Sequence, residues 1–130
     1  MKYVILIHSN PQPWGHPTSD FVAEHQALSP EERASLEADF ESVMQEMSDT
    51  GELLGGQALG DPADARLVRW HAGRRKITEG PYAETVEQFA GFFLIDVASQ
   101  ERAVEIAARI VAALGEPIEI RPILGGEFQA

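Results

Sequence analysis

The sequence contains no cysteine, which excludes disulfide bonds, thiolate catalysis and Cys-based zinc or iron–sulfur sites. Basic residues are also scarce, since 10 Lys and Arg face 21 Asp and Glu and the net charge is −11. Nucleic-acid binding requires a basic surface that displaces counterions, and docking on an anionic membrane has a similar requirement. We therefore expect neither a nucleic acid nor a membrane as a partner.

Long apolar runs are absent as well. Residues 3–7 form too short an apolar run for a signal peptide, and no segment approaches the roughly 20 apolar residues of a membrane span. These absences predict a cytoplasmic protein. The remaining composition, with 44% hydrophobic and 24% charged residues in a chain of 130, is typical of globular proteins. We expect one domain over residues 1–130, because this length suffices for a hydrophobic core.

The first half of the chain predicts a strand, a long loop, a helix and a second strand. Their predicted ranges are 2–8, 9–28, 30–49 and 52–58. Ser29 and Glu32 form a capping box at the start of the helix, and Gly51 ends it. The loop contains three prolines, but its two large aromatic residues, Trp14 and Phe21, predict that it packs on the rest of the protein.

The second half predicts a hairpin, a turn-rich segment, a strand, a helix and a final strand. The predicted ranges are 65–71 and 74–78 for the hairpin strands, 79–87 for the turns, 88–97 for the strand, 99–114 for the helix and 117–123 for the last strand. Ala72 and Gly73 suit a two-residue hairpin turn. Ser99 caps the second helix and Gly115 ends it.

The predicted order of elements, β-α-β-β-β-β-α-β, indicates an α+β fold. Without the inserted hairpin it is the split β-α-β pattern of ferredoxin-like subunits. Two helices cover only one face of such a sheet, yet strand 88–97 is apolar on both faces. Alternation divides its side chains into two sets, with Phe89, Gly91, Phe93 and Ile95 on one face and Ala90, Phe92 and Leu94 on the other. The uncovered face predicts a homodimer with packed sheets or, alternatively, a long loop folded back over the sheet.

A motif at residues 78–93 carries a family resemblance. The segment TEGPYAETVEQFAGFF resembles the DGPF motif of the YCII-related (DGPF-domain) family, in which Asp-Gly-Pro-Phe precedes two glutamates, a glycine and an aromatic strand. Glu79 replaces the aspartate and Tyr82 replaces the phenylalanine. The MKYVILIH opening, the Leu-Ser-Pro-Glu-Glu helix start, the Gly-Gly pair at 55–56 and the Glu-Ile-Arg-Pro segment at 119–122 extend the resemblance over most of the chain.

This resemblance implies a bacterial protein whose ferredoxin-like subunits form a dimeric α+β barrel. It also implies relatives that act as small-molecule enzymes with a His–Asp pair, and some that are encoded beside extracytoplasmic-function sigma factors. Most members of the family are uncharacterised. Their His–Asp pair cannot be matched residue by residue to the 9–28 loop.

The same motif has a chemical interpretation of its own. Gly80 permits a positive φ and Pro81 restricts the next position, so the pair forms a rigid turn. Glu84 and Glu87 lie three residues apart, and on one side of a helical turn they can bind a metal or act as acid and base. Alternatively, they cap the turn and pair with arginine. We predict catalytic roles for Tyr82 and Glu84 and a substrate-binding role for Glu87.

Two further candidates lie on the first and last strands. His8 ends the first strand and is either a general base or a hydrogen-bonded histidine at a strand end. Arg121 can hold a substrate carboxylate, or the carboxylate of Glu84 or Glu87, through two parallel hydrogen bonds. We predict that His8 is catalytic, that Arg121 binds substrate, and that Arg121 contacts one of the two glutamates.

The 9–28 loop contains three residues with suitable chemistry, His16, Asp20 and His25. They suggest either a metal site or a dyad in which Asp20 orients a histidine. We predict catalytic roles for His16 and Asp20, substrate contact for Trp14, and neither a metal nor another cofactor.

Half of the ten basic residues lie on the predicted hairpin: Arg66, Arg69, Arg74, Arg75 and Lys76. Basic residues beside Trp70 suit contact with a phosphate backbone. The acidic character of the chain instead favours charges that keep an exposed hairpin from pairing with other strands.

Two classes of function remain open. One is a small-molecule enzyme of the lyase, isomerase or hydrolase type that uses His, Asp and Glu as acid–base groups. Its site would lie at the sheet end where His8, the 9–28 loop, the turn at 79–82 and Arg121 meet. The other is a non-catalytic ligand-binding or regulatory module, including one that acts with an extracytoplasmic-function sigma factor. The expected partners are a second copy of the chain and an unknown small molecule.

Overall fold

A computed structural model describes residues 1–81 and 88–125. It has six strands and three α-helices in these ranges. In chain order they are β1 (Lys2–Ser9), α1 (Ala23–Gln26), α2 (Pro30–Thr50), β2 (Leu53–Ala58), β3 (Arg66–His71), β4 (Arg74–Glu79), β5 (Gln88–Asp96), α3 (Gln100–Leu114) and β6 (Ile118–Pro122). Short 3-10 turns occur at Thr18–Phe21 and Pro62–Asp64. None of the helices in these ranges has the length and apolar character needed to cross a membrane.

Four strands form one antiparallel sheet in the order β2-β5-β1-β6. The hairpin strands β3 and β4 form a second, two-stranded sheet of their own. The predicted α+β class and the inserted hairpin are therefore confirmed. The strand order, with α2 after β1 and α3 after β5, is consistent with a ferredoxin-like arrangement.

The helix ends follow the local sequence signals. The Ser29 hydroxyl accepts a hydrogen bond from the Glu32 N–H, and the Glu32 side chain accepts one from the Ser29 N–H. Gly51 and Gly115 end α2 and α3 in the left-handed region, with φ of 78° and 70°, where glycine has no steric penalty. These ends were predictable because every group involved lies within a few residues in sequence.

The hydrophobic core lies between the two long helices and one face of the large sheet. Its buried members are Tyr3, Ile5, Val43, Met47, Ile95, Val97, Ala103, Ile106 and Ile110. Both long helices supply this core from one face, since α2 contributes Val43 and Met47 and α3 contributes alanine and isoleucine at helical spacing.

A β-bulge changes the face of one aromatic residue. Ile7 pairs with Gly91 but His8 pairs with Phe89, so Ala90 is the additional residue on β5. Phe89 consequently shares a face with His8, and the two ring centroids lie 4.7 Å apart. The prediction that Phe89 lies on the face of Gly91 was wrong, because strict alternation does not allow for an inserted residue.

The opposite face of the large sheet remains partly exposed. Leu6, Phe92 and Leu94 on this face are half-buried, and Phe89 is 50% exposed. The described part of the 9–28 loop does not pair with the large sheet. The centre of this face is therefore apolar and incompletely covered, whereas Glu119 and Arg121, which pair with Leu6 and Val4, place charges at its β6 edge.

Arg102 joins three elements through its guanidinium group. Its Nε and Nη2 donate to the two carboxylate oxygens of Glu52, each at 2.9 Å, and Nη2 also lies 2.9 Å from Glu46 Oε2. Nη1 donates to Glu105. The hydrogen bonds from Arg102 lower the pKa of Glu52 below its usual value of 4.5 and also lower the pKa of Glu46. The guanidinium group of Arg102 therefore links α2, the start of β2 and α3.

We predict that Arg102→Met lowers the free energy of unfolding by about 1–2 kcal/mol at neutral pH, because partly buried Glu52 loses two charge-assisted hydrogen bonds. A carboxyl group whose pKa is lowered by folding stabilises the native state above its unfolded pKa. Its contribution therefore decreases as the pH falls below 4.5, and the difference between wild type and variant should shrink there. Urea unfolding at pH 7 and pH 3.5 measures this, with exposed Arg33→Met as the control. An equal difference at both pH values would contradict the electrostatic explanation.

Candidate functional site

A cavity of about 510 Å³ lies at the carboxyl end of β1. Its walls come from the end of β1, the loop that follows, α1, the start of α2 and the end of α3. The lining residues are His8, Ser9, Asn10, Val22, Glu24, His25, Leu28, Leu36, Ala112, Leu114, Gly115, Glu116 and Pro117. We call this the β1-end cavity. It combines apolar walls with two histidines, a serine and two carboxylates, the mixture typical of small-molecule sites.

The end of β1 places His8 and Ser9 on opposite faces of the sheet. The His8 backbone N–H donates to the Pro117 carbonyl at 3.0 Å, and its Nε2 lies 3.5 Å from Glu119 Oε1. Ser9 lies on the helix side and is 4% exposed. Its Oγ is buried and has no hydrogen-bond partner among the described residues. A buried hydroxyl without a partner is costly, which makes Ser9 a candidate for contact with a bound molecule.

The loop supplies a histidine–carboxylate pair. His25 on α1 points its Nε2 at Asp20 Oδ1, 3.2 Å away, and the His25 side chain is only 10% exposed. A carboxylate can only accept, so the proton of a neutral His25 ring lies on Nε2 and the lone pair lies on Nδ1. The expected orientation of a histidine by Asp20 is therefore possible in this fold, and the histidine concerned is His25.

A buried carboxylate forms another part of the cavity wall. Glu116 is 4% exposed and accepts hydrogen bonds from the Thr18 hydroxyl at 2.9 and 3.2 Å. Thr18 is buried to the same extent. The sequence analysis missed both residues. Gly115-Glu116-Pro117 has the composition of an exposed connection, and only the packing of the loop against the end of α3 buries it.

His16 lies at a second cavity, of about 350 Å³. The Trp14 ring N–H and His16 Nε2 both contact the Leu59 carbonyl oxygen, at 3.1 and 2.5 Å. These contacts confirm that the loop packs on the body. The cavity is lined by Ile7, His16, Pro17, Thr18, Phe40, Gly56, Gln57, Ala58, Ala90, Gly91, Phe92, Phe93, Leu114 and Glu116. His16 is thus separated from His8 and His25, which line the β1-end cavity.

Arg121 does not line the β1-end cavity. It pairs with Val4, several residues before the end of β1, and its side chain is 67% exposed. Its Nε lies 3.8 Å from Glu119 Oε2. Since His8 Nε2 lies 3.5 Å from Glu119 Oε1, Arg121 and His8 face the same carboxylate. The substrate-binding role of Arg121 stays a prediction.

Three predicted site residues, Tyr82, Glu84 and Glu87, lie outside the described residues. Their predicted roles and the contact between Arg121 and a glutamate therefore stay predictions. Within residues 1–81 and 88–125, no three His, Asp or Glu side chains approach closely enough to hold a metal ion.

Comparison with known proteins defines the class of protein. The model of the YCII-related domain matches residues 1–125, and the chain belongs to this family. It is similar to an uncharacterized protein of Rhizobium meliloti (strain 1021), with 33% identity over 99 residues that make up 75% of this chain and 80% of the relative. The family resemblance of the 78–93 motif is thereby confirmed.

We predict that Ser9→Ala leaves the free energy of unfolding unchanged or raises it by up to about 1 kcal/mol, because the substitution removes a buried hydroxyl that lacks a partner. Thr18→Val should instead lower it by about 1–3 kcal/mol, because the carboxylate of Glu116 then loses a donor. Urea unfolding of both variants measures the contrast. A larger loss for Ser9→Ala than for Thr18→Val would show that the Ser9 hydroxyl serves the fold.

Proposed function

We propose that this protein is a small-molecule enzyme that performs proton transfer in the β1-end cavity. One observation supports this proposal above the others: His8, Ser9 and His25 line a single cavity, and Asp20 Oδ1 lies 3.2 Å from His25 Nε2. A base, a group that orients it and a space beside it are the parts that acid–base catalysis requires. The size of the cavity suits a small polar molecule.

In this mechanism the Nδ1 lone pair of His25 accepts a proton from the substrate. Asp20 stabilises the resulting imidazolium because its carboxylate already faces Nε2 at 3.2 Å. His8, which lines the rim of the same cavity at the end of β1, returns a proton to a neighbouring atom, and the Ser9 hydroxyl donates a hydrogen bond to a substrate oxygen. Removal of a proton and its return to a neighbouring atom is an isomerisation, and loss of a neighbouring group in place of that return is a lyase reaction. The proposed reaction is therefore of the isomerase or lyase type rather than the hydrolase type.

The remaining predicted site residues have secondary places in this proposal. Tyr82 and Glu84 follow the rigid Gly80-Pro81 turn and are further candidates for acid–base groups. Gly80 has a φ of 86°, and its N–H donates to the Ala65 carbonyl at 2.8 Å. The turn that precedes Tyr82 is therefore fixed at the base of the hairpin.

We predict that His25→Gln abolishes catalysed proton exchange and that Asp20→Asn reduces it by about 10²-fold or more, because the ring loses its base or its fixed tautomer. The probes are pyruvate, acetone and glyceraldehyde in D2O, with loss of the proton signal next to the carbonyl followed by NMR. Nitrogen-15 spectra of the His25 ring should show the Nε2–H tautomer in wild type and a mixture in Asp20→Asn.

Glu24→Gln is the matched control, because Glu24 lines the same cavity but the ion pair of His25 within the described residues is with Asp20. Exchange that survives His25→Gln unchanged would contradict the assignment of the base. A wild-type protein that shows the Nε2–H tautomer but catalyses no exchange with any probe would favour a function without catalysis.

The second candidate is a non-catalytic ligand-binding module. The observation in its favour is the second cavity, whose walls are largely apolar, with Phe40, Phe93 and Leu114 among them. An apolar cavity with few polar groups is suited to binding and supplies little chemistry. Binding of indole there without any turnover would favour this function over the enzyme.

We further propose that the chain is a homodimer whose open sheet faces pack together. Leu6, Phe92 and Leu94 form an apolar surface that the described residues cover incompletely, and a second copy is a partner that is always present. A bacterial, cytoplasmic setting is proposed on the family resemblance and on the composition of the chain.

We predict that wild-type protein at micromolar concentration has about twice the monomer mass of 14.3 kDa and that Phe92→Asp is a folded monomer, because it places a charge in the apolar contact. Light scattering and circular dichroism measure this. Phe93, on the opposite face, packs against the core, so Phe93→Ala should lower the free energy of unfolding by about 2–4 kcal/mol and leave the dimer intact. A Phe92→Asp dimer would exclude this interface.

A further inference from the structure

The β3–β4 hairpin has a charge opposite to that of the rest of the protein. Residues 66–79 contain five Lys and Arg and one acidic residue, Glu79, a net charge of +4. The remainder contains five Lys and Arg and 20 Asp and Glu, a net charge of −15. Such segregation produces a strong field between the hairpin and any acidic surface that it approaches.

The hairpin projects its own apolar face into solvent. Val68 pairs with Ile77 and Trp70 pairs with Arg75, so these four side chains lie on one face of the two-stranded sheet. Val68, Trp70 and Ile77 are 62%, 76% and 55% exposed. The turn itself is the predicted one, with positive φ at Ala72 and Gly73.

The need to keep exposed strands from pairing with other strands explains the charged residues of the hairpin but not its apolar residues. Charges such as Arg74 and Lys76 prevent unwanted strand pairing. A valine, an isoleucine and a tryptophan grouped on one face have the opposite effect, because an exposed apolar patch promotes association. An apolar, aromatic centre with arginine at its margin is instead typical of a binding surface.

We propose that this hairpin face binds the acidic body of a second copy of the chain. The body of each copy carries −15, so it is opposite in charge to the hairpin of the second copy. Each whole copy carries −11, so two copies repel one another at long range, and the contact requires each hairpin to meet the acidic body within the Debye length of about 8–10 Å. A nucleic acid is also attracted to the hairpin and repelled by the acidic body, but it has no positive segment of its own, whereas a second copy brings a second +4 hairpin.

This inference rests on the proposed homodimer but concerns a different surface. The sheet-face contact is apolar and depends on Phe92, whereas the hairpin contact is largely electrostatic and adds Trp70 to the interface. The hairpin contact should therefore weaken with salt, as surface electrostatics do, while the sheet contact should not.

The test compares two variants with the same change of charge. Arg74→Glu/Arg75→Glu lowers the net charge of the hairpin from +4 to 0, and Lys2→Glu/Arg33→Glu makes the same change of charge at two exposed residues of the body. Sedimentation in about 50 mM NaCl should show a dimer dissociation constant that is at least about 10-fold higher in the hairpin variant and changed less than about 3-fold in the control, and about 500 mM NaCl should remove most of the difference. Circular dichroism verifies that both variants fold.

Trp70 supplies a second measurement. In a Trp14→Phe background it is the one tryptophan left in the chain, and its emission should shift to shorter wavelength as protein concentration rises through the dimerisation range.

A dimer that is unaffected by the hairpin substitutions, with Trp70 emission independent of concentration, overturns the inference and leaves the sheet-face dimer standing. A protein that is monomeric throughout overturns both. Binding of a labelled oligothymidylate that the hairpin substitutions abolish, without any effect on dimerisation, assigns the hairpin to nucleic acid and also overturns the inference.

Discussion

Two helices pack on one face of a four-stranded antiparallel sheet, and the other features of this protein depend on that one-sided coverage. Ile5 and Ile95, on the helix side of the two central strands, are fully buried. The helices and the sheet form the hydrophobic core on this side. The other face keeps apolar residues such as Phe92 incompletely covered by the described chain. The same sheet therefore supplies both the stability of the subunit and a surface for association.

The β1-end cavity occurs where this coverage stops. Helix α3 ends at Gly115 just before the chain enters β6, so neither helix extends over the last residues of β1. The 9–28 loop closes the gap instead, and it brings polar residues with it: Thr18 onto Glu116, and the Asp20–His25 pair beside Ser9. A site built in this way has rigid walls from the sheet and chemical groups from the loop, the usual division of roles in enzymes.

Charge has separate roles in different parts of the chain. Around Arg102 the opposite charges satisfy one another within the subunit and connect α2, β2 and α3. On the hairpin, Arg74, Arg75 and Lys76 form no ion pairs with described residues and remain exposed. Charges paired inside a subunit serve its fold, whereas an exposed excess of one sign serves encounters with other molecules.

The sequence by itself determined the elements, because their signals are local. Helix caps, glycine stops and the hairpin turn depend on neighbours within a few residues, and the two long helices and six strands were predicted with errors of one or two positions. The short helix α1 was not predicted, because it lies in the stretch that was expected to be a loop. The family also followed from the sequence, since the motif at 78–93 is contiguous. His8, Asp20 and His25 were identified as candidates from their residue types alone.

Only the tertiary structure decided which of those candidates meet. A single inserted residue, Ala90, moved Phe89 onto the face of His8, and antiparallel pairing placed Arg121 opposite Val4. The path of an irregular loop has no sequence period, so nothing local could show that His16 would reach Leu59 while His25 reached Asp20. Ser9 and Glu116 were missed for the same physical reason: burial of a polar group is set by distant segments that pack over it, and short-range sequence signals contain no information about those segments.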